Sequence, residues 1–126
     1  MALTFEQAVL EQLGEDGIRK LVRAFYARVP EDPVLMPLYP EGDLAGAEQR
    51  LAGFLVYRFG GSQNYVEERG HPRLRMRHAT FAVDGAAREA WMSNMREALD
   101  ECVPGERLRE ALGKFLAQVA EFLVNR

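Results

Sequence analysis

The segment Arg69-Gly-His-Pro-Arg-Leu-Arg-Met-Arg-His-Ala-Thr-Phe81 carries both histidines of the chain, His71 and His78. Pro72 suits the first turn of a short helix that runs to about Ala79. In such a helix His78 lies near the end, whereas His71 lies at the start, where it would cap the helix or meet solvent. Because neutral imidazole is the commonest protein ligand of a metal ion, we take His78 as the candidate ligand.

Two interpretations of His78 follow from its place in this helix. As a metal ligand it points to iron in a haem, which requires a neutral imidazole held in a fixed plane by its own helix. Leu74, four residues earlier, shares its helical face and could pack beneath a porphyrin. The alternative is a histidine that is hydrogen-bonded at a helix end and binds no metal.

Outside this segment the apolar residues recur at helical spacing, and no convincing alternating strand occurs. Thr4 and Gln7 resemble a capping box that opens a first helix toward Leu13, and a break is expected from Gly14 to Gly17. Further along, the pattern predicts a helix ended by Pro30, a short turn of helix from Asp32 through Leu38, a longer helix from Asp43 stopped by Gly60-Gly61, a helix capped by Asp84 that carries Trp91, and a last helix after Pro104-Gly105. We therefore predict an all-α protein of six or seven helices.

The composition is that of an ordinary globular protein. The 126 residues are 48% hydrophobic and 28% charged, which predicts one domain over residues 1–126. A net charge of -3 argues against a dedicated nucleic-acid binder. No apolar run approaches the roughly 18 residues of a membrane span, and no signal peptide or cysteine pair is evident, so we expect a cytoplasmic protein.

Three aromatic residues carry a polar group on an apolar ring: Tyr26, Tyr39 and Trp91. Each donor needs a partner when it is buried. For any one of them the simpler interpretation is a core residue bonded to a backbone carbonyl. Convergence of all three on one face would instead surround a small polar ligand in an apolar cavity.

Several arginines lie near the histidines: Arg69, Arg73, Arg75 and Arg77. They form either a solvated helix face or, for one or two of them, partners of haem propionates, since guanidinium pairs with carboxylate in a fork. Arg50 could do the same from the other side. We find no spaced carboxylate pair, Ser-His-Asp set, zinc motif or phosphate-binding glycine loop.

Four segments, in their order and spacing, carry a family resemblance: Asp43-Leu-Ala-Gly-Ala-Glu-Gln-Arg-Leu51, Gly60-Gly61, Arg69-Gly-His-Pro-Arg-Leu-Arg-Met-Arg-His78 and Ala90-Trp91. Together they resemble a truncated (2-on-2) haemoglobin of group II, and the likeness extends over nearly the whole chain. Two departures stand out. Phe59-Gly-Gly-Ser62 replaces the family's Trp-Gly-Gly-Pro, and Arg58 stands where an aromatic residue is usual.

The resemblance implies a globin-like, truncated two-over-two helical sandwich around haem b, with His78 as the proximal iron ligand. It places Tyr26, Tyr39 and Trp91 on the ligand side, with Ala47 at the position where many globins carry a distal histidine. It also implies a set of side chains that contact the haem: Arg50, Leu51, Phe54, Leu74, Arg77 and Phe81. The two arginines of this set match positions expected to meet propionates.

The implied function is reversible binding of oxygen, and of carbon monoxide or nitric oxide, at a five-coordinate iron. Because Ala47 cannot donate a hydrogen bond, the tyrosines and Trp91 would slow oxygen release, which suits scavenging or sensing better than bulk oxygen transport. Two other hypotheses remain. One is a haem-dependent redox enzyme, a nitric oxide dioxygenase or peroxidase served by an unidentified electron donor or reductase. The other is a haem-free helical interaction module. We expect a monomer or homodimer.

Overall fold

The computed structural model describes residues 4–39, 43–60 and 84–124, and within these residues the regular structure is entirely helical. Five α-helices occur in this part of the chain: α1 (Phe5–Gln12), α2 (Gly14–Arg28), α3 (Leu44–Arg58), α4 (Gly85–Cys102) and α5 (Glu106–Leu123). Two 3₁₀ helices, Val29–Glu31 and Met36–Leu38, shape the corner between α2 and α3. The predicted all-α class is confirmed. The predicted short helix from Pro72 to Ala79 lies outside the described residues.

The helices form two contacting pairs. Helix α2 packs against α3, α4 packs against α5, and α2 also lies against α4, so the two pairs share an interface. The apolar stripe of α2 lies at the centre of this arrangement, with Ile18, Leu21, Val22 and Phe25 each no more than 2% exposed. The residues of this stripe are spaced three and four positions apart, which is the spacing of one face of a helix. The arrangement agrees with the predicted two-over-two sandwich.

Helix α1 is capped as the sequence predicted. The Gln7 amide donates to Thr4 Oγ1 at 3.1 Å, and the Thr4 amide donates to Gln7 Oε1 at 3.0 Å. The expected break from Gly14 to Gly17 is wrong, because α2 already begins at Gly14. Gly14 has a φ of 68°, a left-handed conformation that glycine adopts without steric cost. One residue is therefore enough to redirect the chain.

Three phenylalanines join α1, α3 and α5 where α3 ends. The ring of Phe59 lies 5.5 Å from that of Phe5 and 5.3 Å from that of Phe115, both in edge-on contact. The guanidinium of Arg58 lies 5.1 Å from the centre of the Phe115 ring and forms an ion pair with Glu6 at 3.0 Å. Arg58 thus places a cation on an aromatic face at the end of α3.

The corner between α2 and α3 is built around one carboxylate. Asp32 Oδ1 accepts the amide protons of Val34 at 2.8 Å and of Leu35 at 3.0 Å. Helix α2 ends before Pro30, as predicted. The predicted short turn of helix ends at Leu38 as expected, but it begins at Met36 and not at Asp32. The Asp32 carboxylate holds residues 33–35 in a turn that precedes this 3₁₀ helix.

The remaining helix boundaries agree closely with the sequence. Asp84 caps α4 by accepting the amide proton of Ala87 at 2.8 Å. Helix α5 begins directly after Pro104-Gly105. Helix α3 ends at Arg58, and Gly60 has a φ of 85°, which agrees with the expected glycine stop.

Candidate functional site

The structure brings Tyr26, Tyr39 and Trp91 together from three different elements. Tyr26 comes from the buried stripe of α2, Tyr39 ends the corner, and Trp91 lies on α4. The rings of Tyr26 and Tyr39 meet edge-on with centroids 5.6 Å apart. Phe25 lies between Tyr26 and Trp91. Its ring centroid is 4.9 Å from that of Tyr26 and 5.2 Å from that of Trp91. We call Tyr26, Tyr39 and Trp91 the donor cluster.

The hydroxyl groups of the donor cluster are buried and act on one another. Burial raises the pKa of Tyr26, and the neighbouring Tyr39 raises it further. Burial also raises the pKa of Tyr39, whereas its interactions with Tyr26 and Trp91 lower it. The three polar groups therefore face one another inside the cluster.

The Tyr39 hydroxyl interacts with both other members of the donor cluster. The indole of Trp91 can only donate, so in that interaction the Tyr39 oxygen is the acceptor. A hydroxyl has one proton to donate and two lone pairs that accept. Tyr39 can therefore accept from a neighbour and still donate its own proton.

The donor cluster is electrically neutral. Among the residues that the structure describes, no charged side chain is buried. Glu48 and Arg50 act on Tyr26 only through space, which shows that the first half of α3 lies beside it. The site can therefore stabilise partial charge by hydrogen bonding, whereas the described residues bring no buried acid or base to it.

One face of α3 provides apolar groups at helical spacing. Ala47 and Phe54 are buried, at 7% and 8% exposed, and Leu51 between them is half-buried against the core. Residues separated by three or four positions share a helical face. This face presents a small side chain followed by two larger ones.

Arg50 is engaged at the start of α3. Its guanidinium donates to Asp43 Oδ2 at 2.7 Å. The pair wraps around Gly46, where an added Cβ would collide with Asp43 Oδ1 and lie 3.0 Å from Arg50 Nη1. Glycine at this position therefore allows the ion pair to lie close to the helix backbone. A propionate, the partner expected for Arg50, would have to compete with Asp43 or join the pair.

The other predicted site residues lie outside the described residues: His71, Leu74, Arg77, His78 and Phe81. Their roles remain predictions. Within the described stretches, no group of three or more His, Cys, Asp or Glu side chains could hold a metal ion.

The sequence reasoning missed a contact between Asp32 and Asn94. Asn94 Nδ2 donates to Asp32 Oδ2 at 2.8 Å and to the Ala90 carbonyl at 2.8 Å. The pairing of aspartate with proline at positions 32 and 33 signals a turn, but its partner lies 62 residues away. No local pattern could have identified that partner.

The described part of the site fits a haem. A haem needs an apolar surface for the ring and neutral donors near the ligand, since its propionates alone carry charge to solvent. The apolar face of α3 and the hydroxyl groups of the donor cluster supply these two elements. Within the same stretches, no helix is both long and apolar enough to cross a lipid bilayer.

Comparison with known proteins gives consistent similarities over most of the chain. A family model described as bacterial-like globin matches residues 8–125. Group 2 truncated hemoglobin YjbI of Bacillus subtilis is 37% identical over 119 residues, covering 94% of this chain and 89% of that protein. The thermostable hemoglobin of Thermobifida fusca is 43% identical with a TM-score of 0.88, covering 98% of both chains. The truncated oxygen-avid haemoglobin of Bacillus subtilis is 37% identical with a TM-score of 0.85, covering 92% of this chain and 98% of that chain.

Proposed function

The chain belongs to the bacterial-like globins as a group II truncated haemoglobin that binds haem, and from this premise we propose that it binds oxygen reversibly and releases it slowly. When bound, the haem supplies an iron that takes a diatomic ligand and polarises it, so that its outer atom becomes partly negative. Carbon monoxide and nitric oxide are the other expected ligands. The rest of the proposal concerns what the protein's own side chains do.

The observation that carries the proposal is the convergence of Tyr26, Tyr39 and Trp91, three neutral donors from three different elements. In the proposed arrangement Tyr39 accepts from both Tyr26 and Trp91, so its own proton points toward a ligand. Each accepted bond also polarises the hydroxyl and strengthens its donation, by about 10–30% per bond. Tyr39 is thus the direct donor, and Tyr26 and Trp91 orient it.

Ala47 leaves room at the position where a distal histidine would otherwise stand. It is buried and carries no donor, so the stabilising hydrogen bond must come from the donor cluster. Its small side chain also leaves a side route for ligand entry. Leu51 and Phe54, on the same face of α3, would contact the porphyrin ring.

The proximal side rests on the family resemblance. His78 would bind the iron as its fifth ligand, with Leu74 and Phe81 against the ring and Arg77 near a propionate. Arg50 would approach the other propionate, with Asp43 setting the position of its guanidinium. Substitution of His78 by glycine should therefore alter the iron–imidazole band in the Raman spectrum of the reduced protein.

A relative supports slow release. The Bacillus subtilis truncated haemoglobin, 37% identical to this chain, is described as oxygen-avid. Slow release is what a polarised hydroxyl aimed at a partly negative ligand would produce. Such retention favours oxygen scavenging, sensing or redox use over transport.

The decisive experiment is a visible spectrum of the purified protein in the oxidised, reduced and carbonmonoxy forms, followed by stopped-flow oxygen release. A Soret band, a stable oxygenated spectrum and slow dissociation are expected. Absence of a Soret band after haem addition would establish the haem-free interaction module instead. Rapid oxidation by oxygen, with no reversible complex, would contradict the oxygen-binding function.

Redox catalysis is the competing function, as a nitric oxide dioxygenase or a peroxidase. It would need an electron donor or reductase, and peroxidase chemistry also benefits from a general base beside the ligand. The described part of the site offers neutral donors in that place, which favours ligand binding. Sustained turnover with a reductase or a reducing substrate would favour the enzyme.

A further inference from the structure

We infer that Asp32 and Asn94 are positioning residues that hold the corner carrying Tyr39 against α4, the helix that carries Trp91. The inference rests on the proposed function, in which Tyr39 faces the ligand. The side-chain hydrogen bonds of Asp32 and Asn94 described above do not reach the donor cluster. Asp32 acts through the corner that ends at Tyr39, and Asn94 acts through α4, which carries Trp91.

Asp32 controls the path of the chain to Tyr39. Its Oδ1 atom accepts two successive amide protons, those of Val34 and Leu35, at 2.8 and 3.0 Å. Leu35 is 1% exposed and anchors the corner in the core. The Leu38 amide then donates to the Leu35 carbonyl at 2.9 Å. The chain from the carboxylate to the 3₁₀ helix is therefore bonded step by step.

The last step of this path places Tyr39 itself. The Tyr39 amide donates to the Met36 carbonyl at 3.2 Å, and the Met36 amide donates to the Asp32 carbonyl at 3.0 Å. Backbone and side chain of Asp32 thus both organise the corner. A change in the position of this carboxylate would be transmitted to the tyrosine at its end.

Asn94 fixes the same carboxylate to α4. It lies three residues after Trp91, which places the two side chains on neighbouring parts of one helical face. Its amide nitrogen uses one proton on Asp32 Oδ2 and the other on the Ala90 carbonyl, both at 2.8 Å. With both protons used, the asparagine is held in a single orientation. The corner with Tyr39 and the helix with Trp91 are therefore joined through one carboxylate.

The Asp32–Asn94 contact is separable from the general packing of α2 on α4. Arg28 of α2 makes two further ties to α4, with Glu97 and Glu101, each at 3.1 Å. The apolar stripe of α2 supplies the rest of that interface. Loss of the Asp32–Asn94 bond should thus displace the corner and leave the helix pair in contact.

The chemistry at this contact is charge-assisted. Hydrogen bonds from the Leu35 amide and from Asn94 lower the pKa of the Asp32 carboxyl, so it remains ionised at neutral pH. An ionised acceptor makes a stronger bond to an amide than a neutral one does. Asn94→Asp would place a second carboxylate against it, and Asp32→Asn would place an amide donor opposite the Asn94 amide. Each single substitution turns attraction into repulsion with little change in size.

The swapped double variant tests the pairing itself. In Asp32→Asn/Asn94→Asp, an amide and a carboxylate face each other again with their places exchanged. The bond between the two elements is restored, although the new carboxylate faces the Ala90 carbonyl. Partial rescue is therefore expected from the double variant.

The probe is the indole proton of Trp91, which is the single tryptophan of the chain. We would label tryptophan with nitrogen-15 and follow its one indole signal in the diamagnetic ferrous carbonmonoxy protein. Both single variants should shift this signal and speed its exchange with solvent about tenfold, as loss of one hydrogen bond would do. The double variant should recover most of the shift. Glu97→Gln, on the same helix, should leave the signal unchanged.

Two results separate the positioning role from the proposed function. An unchanged indole signal in both single variants would overturn the positioning role, whatever the oxygen kinetics show. A shifted signal that recovers in the double variant would uphold it. In that case unchanged oxygen release in the single variants would count against Tyr39 as the direct donor, and faster release would support it.

Discussion

Replacing Tyr39 with phenylalanine removes the proton that we assign to the ligand and keeps the ring. The edge-on contact with Tyr26, at 5.6 Å between centroids, needs only the ring and should survive. The substitution therefore tests the hydroxyl with little change in packing. Oxygen release is expected to become faster.

The size of the effect follows from the hydrogen-bond pattern. A hydrogen bond to a charged group contributes about 1.5–3 kcal/mol, which corresponds to about a 10- to 150-fold change in rate. The variant also frees the Tyr26 hydroxyl and the Trp91 indole from their acceptor, so either can turn to the ligand in compensation. We therefore expect release to accelerate by about 10- to 30-fold. Tyr26→Phe removes only an internal bond of about 0.5–1.5 kcal/mol, and we expect about a 2- to 10-fold acceleration.

The assay is stopped-flow displacement of oxygen by carbon monoxide in the reduced protein. Carbon monoxide is less polar when bound, so its own release should change less than that of oxygen in Tyr39→Phe. Tyr57→Phe is the matched control, because this half-buried tyrosine of α3 lies outside the donor cluster. Equal oxygen release in Tyr39→Phe and the parent protein would refute the assignment of Tyr39 as donor, and so would a larger effect in Tyr26→Phe.

Three further predictions concern stability. Haem binds the folded state, so removing it should lower the melting temperature measured by circular dichroism. A ligand present at 1,000 times its dissociation constant adds about 4 kcal/mol to the free energy of unfolding. An apo-protein that melts at the same temperature as the holo-protein would contradict a central haem pocket. Burial raises the pKa of Tyr26 above its ordinary value of 10.0, so its contribution to stability is complete below about pH 10 and is lost as the pH rises further, because only the unfolded tyrosine then releases its proton. Denaturant titrations between pH 9 and 11 should show a slope for Tyr26→Phe that is shallower by up to about 1.4 kcal/mol per pH unit, and identical slopes would argue against the buried hydroxyl. Gly14→Ala should lower the free energy of unfolding by about 1–2 kcal/mol because of the φ of 68° at this residue. Gly85→Ala is the control, since an added Cβ also has open space there, and it should leave the free energy of unfolding unchanged. Equal effects of the two substitutions would show that the left-handed conformation is not what makes glycine necessary at position 14.

The local features of the fold were predictable because they depend on neighbouring residues. The capping box at Thr4, the cap at Asp84 and the buried stripe through Phe25 each follow from spacing within one helix. The predictions that were wrong concern places where a single residue sets the path of the chain. Gly14 alone redirects the chain, and the Asp32 carboxylate delays the short helix until Met36.

The donor cluster shows where sequence reasoning stops. The residue types and their family resemblance singled out Tyr26, Tyr39 and Trp91, since each ring carries a polar group that needs a partner. Their convergence depends on how three separate elements pack, and only the structure revealed how the rings meet. Asn94 escaped notice altogether, because its partner comes from a distant part of the chain.

Helix α3 is held at both ends. Phe59, just after its last turn, is wedged between two other phenylalanine rings, and the Asp43–Arg50 ion pair braces its first turns. A ligand that contacts Ala47 or Leu51 would therefore meet a helix whose two ends are fixed, so the helix would resist a shift along its axis. Bulky ligands such as branched alkyl isocyanides would be excluded by their shape, whereas narrow ligands would enter without displacing α3.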